Sequence, residues 1–386
     1  MIPRAYDNLD DTVQPGKAVI IYGPRRVGKT TLVRNYLNKT KLRYRIDSGE
    51  NLAVQDVLSS QDFEAIFRYV GDNELIVIDE AQTIPGVGQG LKIIIDQRPN
   101  VRVIATGSSS FDLARNVGEP LVGRMKTLQM YPIAQMEMLQ QVGNEFDLTQ
   151  ELEDYLVFGS YPDVINAKNR DDKAHYLLDL VNSYLLKDIL TLDKVRSPRA
   201  LLDLLKLLAF QIGNEVSLNE LGQKLNWDPK TVGRYLDLLE QCFIIVRIGG
   251  FGRNLRNEVT RTSKYYFVDN GVRNAILQQF NSLDLRNDVG ALWENFLTVE
   301  RIKYRTYTGM YGNMYFWRTY SQQEIDLIED YDGQLHAYEF KYGLKTPGAP
   351  SEWAEAYADA TYKVINRENY LSFITEDPSE QNTRKS

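Results

Sequence analysis

The stretch Gly23-Pro24-Arg25-Arg26-Val27-Gly28-Lys29-Thr30-Thr31 (GPRRVGKTT) decides how this chain is read. An apolar run, AVIIY (18–22), precedes it and the helical-looking TTLVRNYLNK follows, so the local order is strand, loop, helix. Gly23, Gly28, Lys29 and Thr30 satisfy G-x-x-x-x-G-K-[ST], a pattern whose residue types follow from its chemistry. Glycines let backbone N–H groups wrap closely round phosphate oxygens, and the N-terminus of the next helix adds a favourable dipole. Lys29 is expected to reach the β- and γ-phosphates and the Thr30 hydroxyl to ligate Mg²⁺. All nine residues, 23 to 31, are expected to line the triphosphate. The expected cofactors are ATP and Mg²⁺.

Working outward, LIVIDEAQ places Asp79 and Glu80 at the end of a second apolar run. Asp79 is expected to hold the Mg²⁺ coordination sphere and Glu80 to polarise the attacking water. A third run, 101–105, ends in Thr106-Gly107-Ser108-Ser109, where a polar side chain would sense the γ-phosphate. Ser108 is the first choice and Thr106 the second. Arg124, in LVGRM, is a candidate to neutralise transition-state charge, in cis or from a neighbouring subunit. With LRYRID (42–47), these runs alternate with segments of helical length. Residues 1–131 thus read as an α/β core on a parallel sheet whose strands are buried on both faces.

Composition bounds the alternatives. With 386 residues, 43% of them hydrophobic, the chain can build more than one core. The single cysteine excludes an internal disulfide framework, and with only two histidines it leaves no set for a His/Cys zinc site. The N-terminus MIPRAYDNLDD lacks an apolar signal segment, and no apolar run reaches about 18 residues. A cytoplasmic protein with no membrane partner is expected. A net charge of −7 argues against a globally basic nucleic-acid binder.

Beyond the core the period becomes helical, over 132–197. Residues 198–270 then read as three helices and two strands, FIIVRI and YYFVD, with a glycine- and arginine-rich loop between them. Ser217 with Glu220, and Asp228 with Pro229, mark helix starts. This is the winged-helix arrangement. Between Pro229 and Lys264 seven basic residues oppose three acidic ones, an excess of four inside an acidic chain. Lys230, Arg234, Arg253 and Arg256 are the candidate DNA contacts, with Phe251 available to stack or wedge. An interdomain or protein-binding role for the same module stays open.

Residues 271–376 return to mixed α/β and carry a last constellation. Glu294 lies on a helix, Asp326 on a strand in EIDLI, and Glu339 and Lys341 two apart on the strand after the turn Tyr331-Asp332-Gly333. Paired strands would gather Asp326 and Glu339 into a second Mg²⁺ site, with Lys341 activating a water. A folded relic, with these charges merely on a surface, is the competing account. Tyr338 and Tyr342 are expected to pack. Residues 377–386 read as a disordered tail.

Taken with LIVIDEAQ, ATGSSS, YLVFGSYP, YLLKDI, KYYFVDNG, GALWENFL and EFKYG, the phosphate loop resembles a prokaryotic family of AAA+-type P-loop ATPases with a C-terminal domain of obscure function. The resemblance runs from about 17 to 345. It implies a nucleotide-dependent homo-oligomer, a middle winged helix, and a terminal domain similar to restriction endonucleases. The Glu294, Asp326, Glu339 and Lys341 set resembles PD-(D/E)xK nucleases, with Glu294 at the auxiliary helix position. One departure is Gly159-Ser160, where that family carries two glycines; it is expected to affect a turn. The reading is an ATP-binding and ATP-hydrolysing protein whose nucleotide state drives or gates a DNA-associated C-terminal module. A non-cleaving switch binding DNA or a protein, an ATP-dependent nuclease and a protein remodeller are the alternatives.

Overall fold

The computed structural model describes residues 2–108, 121, 123–182, 198–252 and 263–376. The chain forms two compact units, one of Pro3–Pro132 with Gln241–Phe243, the other of the remaining residues.

In the first unit a five-stranded sheet has the order β2-β3-β4-β1-β5, every pairing parallel. Its strands are β1 (Ala18–Tyr22), β2 (Tyr44–Ser48), β3 (Leu75–Asp79), β4 (Arg102–Gly107) and β5 (Met125–Gln129). The apolar runs of β1, β3 and β4 lie in the interior of the sheet. Ile20, Ile76, Ile78, Val103 and Ala105 pack there with Ile66, Leu91 and Ile94 from the covering helices. LRYRID behaves otherwise: β2 is the edge strand, and Tyr44 and Ile46 are exposed. The expectation that this run is buried on both faces is corrected, because an edge position leaves a strand one neighbour and less cover.

The second unit is built on a seven-stranded sheet, β12-β11-β10-β9-β7-β8-β6. Helices Pro198–Phe210, Leu218–Leu225 and Pro229–Gln241 accompany β6 (Glu215–Val216), β7 (Ile245–Gly250) and β8 (Ser263–Phe267). Ser217 caps its helix by accepting from the Glu220 N–H, but the Glu220 side chain pairs forward with Lys224 instead of closing the box. The short strand β6, pairing β8, escaped the sequence reading. Helix Val289–Thr308 docks on β8 through Asn295, whose amide accepts from Phe267 N and donates to Phe267 O. β9 (Asn313–Arg318), β10 (Glu324–Tyr331), β11 (Gln334–Phe340) and β12 (Thr361–Ile365) complete the sheet, β9 lying parallel to β7. Asp332 and Gly333, both at positive φ, form the two-residue turn joining β10 to β11. Apart from Pro132 and Gln241–Phe243, the described residues of 132–197, 198–270 and 271–376, read separately from the sequence, fall in one unit.

Asp269 ties two motifs together in that unit. Its carboxylate accepts from Val272 N at the start of helix Asn270–Leu277 and from Ser160 N at 2.7 Å. A Cβ on Gly159, whose φ is +72°, would stand 2.0 Å from Asp269 Oδ1. The neighbouring Ser160 hydroxyl accepts from buried Lys303, so this serine joins a buried polar network as well as shaping a turn.

Candidate functional site

Residues 23–28 leave the carboxyl end of β1 and enter helix Lys29–Lys39. Gly23, Arg26 and Gly28 all have positive φ, and left-handed residues within a tight turn are the backbone geometry from which an anion-binding nest of N–H groups is built. Gly23 has a further constraint: a Cβ there would meet the carbonyl oxygen of Met130 at 2.0 Å. Pro24 and Val27 are buried, while Arg25 is half-buried and Arg26 and Thr31 are exposed. The Lys29 ammonium, itself buried, donates to the carbonyls of Gly23 and Pro24 at 2.8 and 2.7 Å.

Strand β3 ends beside this loop. Thr30 Oγ1 donates to Asp79 Oδ2 at 3.0 Å. The hydroxyl and carboxylate foreseen as Mg²⁺ partners therefore meet, although 49 positions separate them. Thr106, on β4, donates to the other oxygen of Asp79 and accepts from the backbone N–H of Glu80 at 3.2 Å. That hydroxyl is committed to bracing the acidic pair. Ser108, two residues on, instead accepts from Gln82 Nε2 at 3.2 Å. Glu80 adopts a left-handed conformation, and its carboxylate accepts from the same Gln82 amide.

Two further residues of this neighbourhood have no role assigned from the sequence. Arg4 donates to the carbonyls of Val27 and Tyr131, clamping the phosphate loop from the N-terminal segment. Gln82 is the fourth letter of DEAQ, and its position two residues after Glu80 was the available signal.

Arg124 is a correction. β1 and β5 are parallel with Ala18 opposite Met125, and the Arg124 carbonyl accepts from Ala18 N at 2.9 Å. The arginine therefore sits at the amino edge of the sheet, a strand length of about 16 Å from the phosphate loop. There it pairs with Asp96. A cis contact with a nucleotide on the same subunit is ruled out by this placement.

In the second unit the structure gathers the C-terminal constellation. Asp326 and Glu339 lie on adjacent strands, and Asp326 accepts from Phe340 N at 2.7 Å. Lys341 donates to Glu339 Oε1, while Glu339 Oε2 is buried without a hydrogen-bond partner among the described residues. Glu294 accepts from Lys264 at 3.0 Å and from Tyr266 at 2.7 Å. Lys264 also pairs with Glu324 at 2.5 Å. Burial pushes the Glu294 carboxyl up to about 7, the charge of Asp326 adding and Lys264 opposing. Burial likewise raises Asp326 and Glu339. Lys264 is raised although burial alone would lower it, because Glu294, Asp326 and Glu324 surround it. Among the described residues no three His, Cys, Asp or Glu side chains form a metal-ligand set.

Lys264 was counted with the basic loop; it is wholly buried in the acid cluster and unavailable to a nucleic acid. Phe251 is likewise corrected: it packs against Tyr315, Trp353 and Tyr357 and does not present a free ring. Lys230 and Arg234 are exposed one turn apart on helix Pro229–Gln241. Arg253 and Arg256 lie outside the described residues, as do YLLKDI and the tail. Tyr338 packs on Phe373 and Tyr342 on Trp293, as expected of packing residues.

A parallel sheet, a glycine-rich loop at its carboxyl edge and a lysine–threonine–aspartate convergence are now in view. The fold is that of a P-loop NTPase. Residues 15–139 match the AAA domain family. Residues 149–283 match a domain of unknown function (DUF8612), and 289–377 match a second (DUF4143). An uncharacterized protein of Mycobacterium tuberculosis is 27% identical over 346 residues, covering 88% of this chain and 74% of that protein. One from Haemophilus influenzae is 26% identical, covering 66% and 68%. One from Methanocaldococcus jannaschii is 21% identical, covering 74% and 66%. An AMPPCP-bound DnaA structure from Aquifex aeolicus aligns at 17% identity over 60% of this chain and 83% of that one. The TM-score of that alignment is 0.26. No helix among the described residues is long and apolar enough to cross a membrane.

Proposed function

We propose that the protein hydrolyses ATP at the loop of residues 23–31 and that nucleotide state gates a DNA-associated module in the second unit. The observation that carries the first part is the Thr30–Asp79 hydrogen bond, with Glu80 next in sequence and Lys29 at the loop. A hydroxyl and a carboxylate are hard oxygen donors suited to Mg²⁺, which keeps several waters and takes few protein ligands. Thr30 and Asp79 would hold the ion, which when bound neutralises charge on the phosphates. Glu80 accepts the proton of the attacking water as its oxygen bonds to the γ-phosphorus and the bond to the β–γ bridging oxygen breaks. Lys29 balances the charge building on the leaving diphosphate. Phosphate release should fall at least about 100-fold in Lys29→Ala and Glu80→Gln, on the scale of lost charge stabilisation and base catalysis. Wild-type turnover in either variant overturns the assignment.

The DNA-associated part rests on the exposed pair Lys230 and Arg234, in a segment whose helix–strand–helix–helix–strand–strand order supports a winged-helix reading. Affinity for duplex DNA should weaken with salt, and each phosphate-contacting residue replaced should reduce the logarithmic salt slope by about one. Binding indifferent to salt and to Lys230→Ala/Arg234→Ala removes this part.

A second reading is favoured by one observation, the buried Oε2 of Glu339, which has no hydrogen-bond partner among the described residues and lies beside Asp326 and Lys341. Asp326 and Glu339 would hold a divalent ion that takes its other ligands from water and a phosphodiester, with Lys341 orienting the water. Incubation with Mg²⁺, ATP and linear or branched DNA, beside Asp326→Ala and Lys341→Ala, decides it. Identical products from all three proteins exclude cleavage at this site.

A further inference from the structure

We propose that Gln82 is a positioning residue whose single amide sets the water-activating carboxylate of Glu80 and the γ-phosphate-sensing hydroxyl of Ser108 together. The inference rests on the ATPase reading above and adds to it a residue outside the Gly23–Thr31 loop and the Asp79-Glu80 pair. Its basis is geometric. The segment after β3 folds into one 3₁₀ turn, Ala81–Thr83, locked by Thr83 donating twice to the Glu80 carbonyl, through its N–H at 3.1 Å and its hydroxyl at 2.8 Å. Gly49 accommodates that turn, since a Cβ there would stand 2.4 Å from the Glu80 oxygen. Fully buried Ala81 anchors the turn from below. The result is that the Gln82 side chain folds back over the acidic pair. Its Nε2 donates to Glu80 Oε2 and to Ser108 Oγ, spending both N–H bonds.

The chemistry of the two acceptors gives the arrangement a direction. A serine hydroxyl that accepts from an amide keeps its own proton to donate elsewhere, and chains of hydrogen bonds strengthen one another. Ser108 is thereby poised to donate to a phosphate oxygen, and the same amide fixes the carboxylate that takes the proton of the attacking water. Thr106 cannot substitute, because its hydroxyl is already engaged by Asp79 and Glu80. The Oε1 of Gln82 is buried and has no hydrogen-bond partner among the described residues, so the side chain is held by its donor end alone. Glutamate at position 82 would keep the shape, lose the N–H donors and set a charge against Glu80. Gln82→Glu therefore separates the donor role from packing.

The test uses the full chain with two readouts, steady-state phosphate release and the ratio of fluorescent ADP to ATP analogue dissociation constants. Gln82→Glu and Gln82→Met should lower kcat at least about ten-fold. They should weaken the preference for the ATP analogue by about three- to ten-fold, the weight of one neutral hydrogen bond, and leave ADP binding unchanged. Adding Ser108→Ala to Gln82→Met should cost no further ATP preference, because both changes cut one chain. Wild-type values of both readouts in Gln82→Glu, or strictly additive losses in the double variant, overturn the relay. Lys29→Ala and Glu80→Gln are run in parallel. If they turn over ATP like wild type, the ATPase reading itself has failed; if they are inactive while the Gln82 variants are normal, only the relay has.

Discussion

Lys264, wholly buried on β8, lies 3.0 Å from Glu294 on the helix Val289–Thr308 and 2.5 Å from Glu324 on β10. A buried ammonium is tolerable only where carboxylates compensate it, and here the compensation is mutual. Replacing it by Met, similar in length and apolar, leaves Glu294 and Glu324 without their cation. Lys264→Met should lose about 3–5 kcal/mol in urea unfolding, the range for breaking a buried pair by removing one partner. A loss below about 1 kcal/mol would mean that water reaches the cluster in the folded chain and that the carboxylates do not depend on the ammonium.

The same cluster makes stability depend on pH with a definite sign. The Glu294 carboxyl sits near 7 in the folded chain against an ordinary value of 4.5. Above 7 it is ionised in both folded and unfolded states, and the folded state carries the full cost of burying the charge. Between 7 and 4.5 the folded chain holds a proton that the unfolded chain does not, so this cost is relieved as the pH falls. Below 4.5 the contribution is flat. Measured against Glu294→Gln, wild-type stability should therefore rise between pH 8 and pH 5, on the order of 1–3 kcal/mol. A difference that stays level across that interval contradicts the assignment.

These two residues also show what was legible in the chain and what was not. Asp326, Glu339 and Lys341 are legible from spacing on two strands, because alternation and a two-residue turn bring such positions to one face, whereas Glu294 joins them only through the resemblance to PD-(D/E)xK nucleases. Lys264 and Glu324 were missed for a physical reason. Their partners come from a different part of the sheet, through a β7–β9 pairing of only two residue pairs that no local pattern announces. In the candidate nucleotide site, Lys29, Thr30 and Asp79 are legible because binding a triphosphate with Mg²⁺ calls for those residue types at a loop and a strand end. The division of labour between Thr106 and Ser108 was not, since either hydroxyl fits a strand end. Arg124 misled because distance along the chain says nothing of which edge of a parallel sheet a residue occupies.

Thr106 offers a direct test of that division. Its hydroxyl braces one oxygen of Asp79 while Thr30 takes the other. Thr106→Val keeps the branched shape and removes the bond. The expected result is ATP turnover lowered by about ten-fold, with the half-saturating Mg²⁺ concentration raised and ATP preference over ADP kept, because Ser108 is untouched. If instead the preference for ATP collapses and the Mg²⁺ dependence is unmoved, Thr106 is the γ-phosphate sensor and the roles are reversed.

Arg124 carries the question of subunits. At the amino edge of the sheet it cannot reach the phosphates of its own loop, and its half-exposed pairing with Asp96 is of the kind worth at most about 1 kcal/mol. Such an arginine is easily exchanged to another acceptor, and the homo-oligomer that the family resemblance implies would bring a neighbouring copy's nucleotide to it. Arg124→Ala alone should then be nearly inactive while binding ATP normally, as should Glu80→Gln. An equimolar mixture of the two should recover a substantial fraction of wild-type phosphate release, since some interfaces combine an intact Glu80 with an intact Arg124. That recovery should vanish on dilution to concentrations at which light scattering gives the mass of a single chain. A mixture no more active than its components, or an Arg124→Ala protein with full turnover, would leave the arginine a role in fold stability through Asp96 alone.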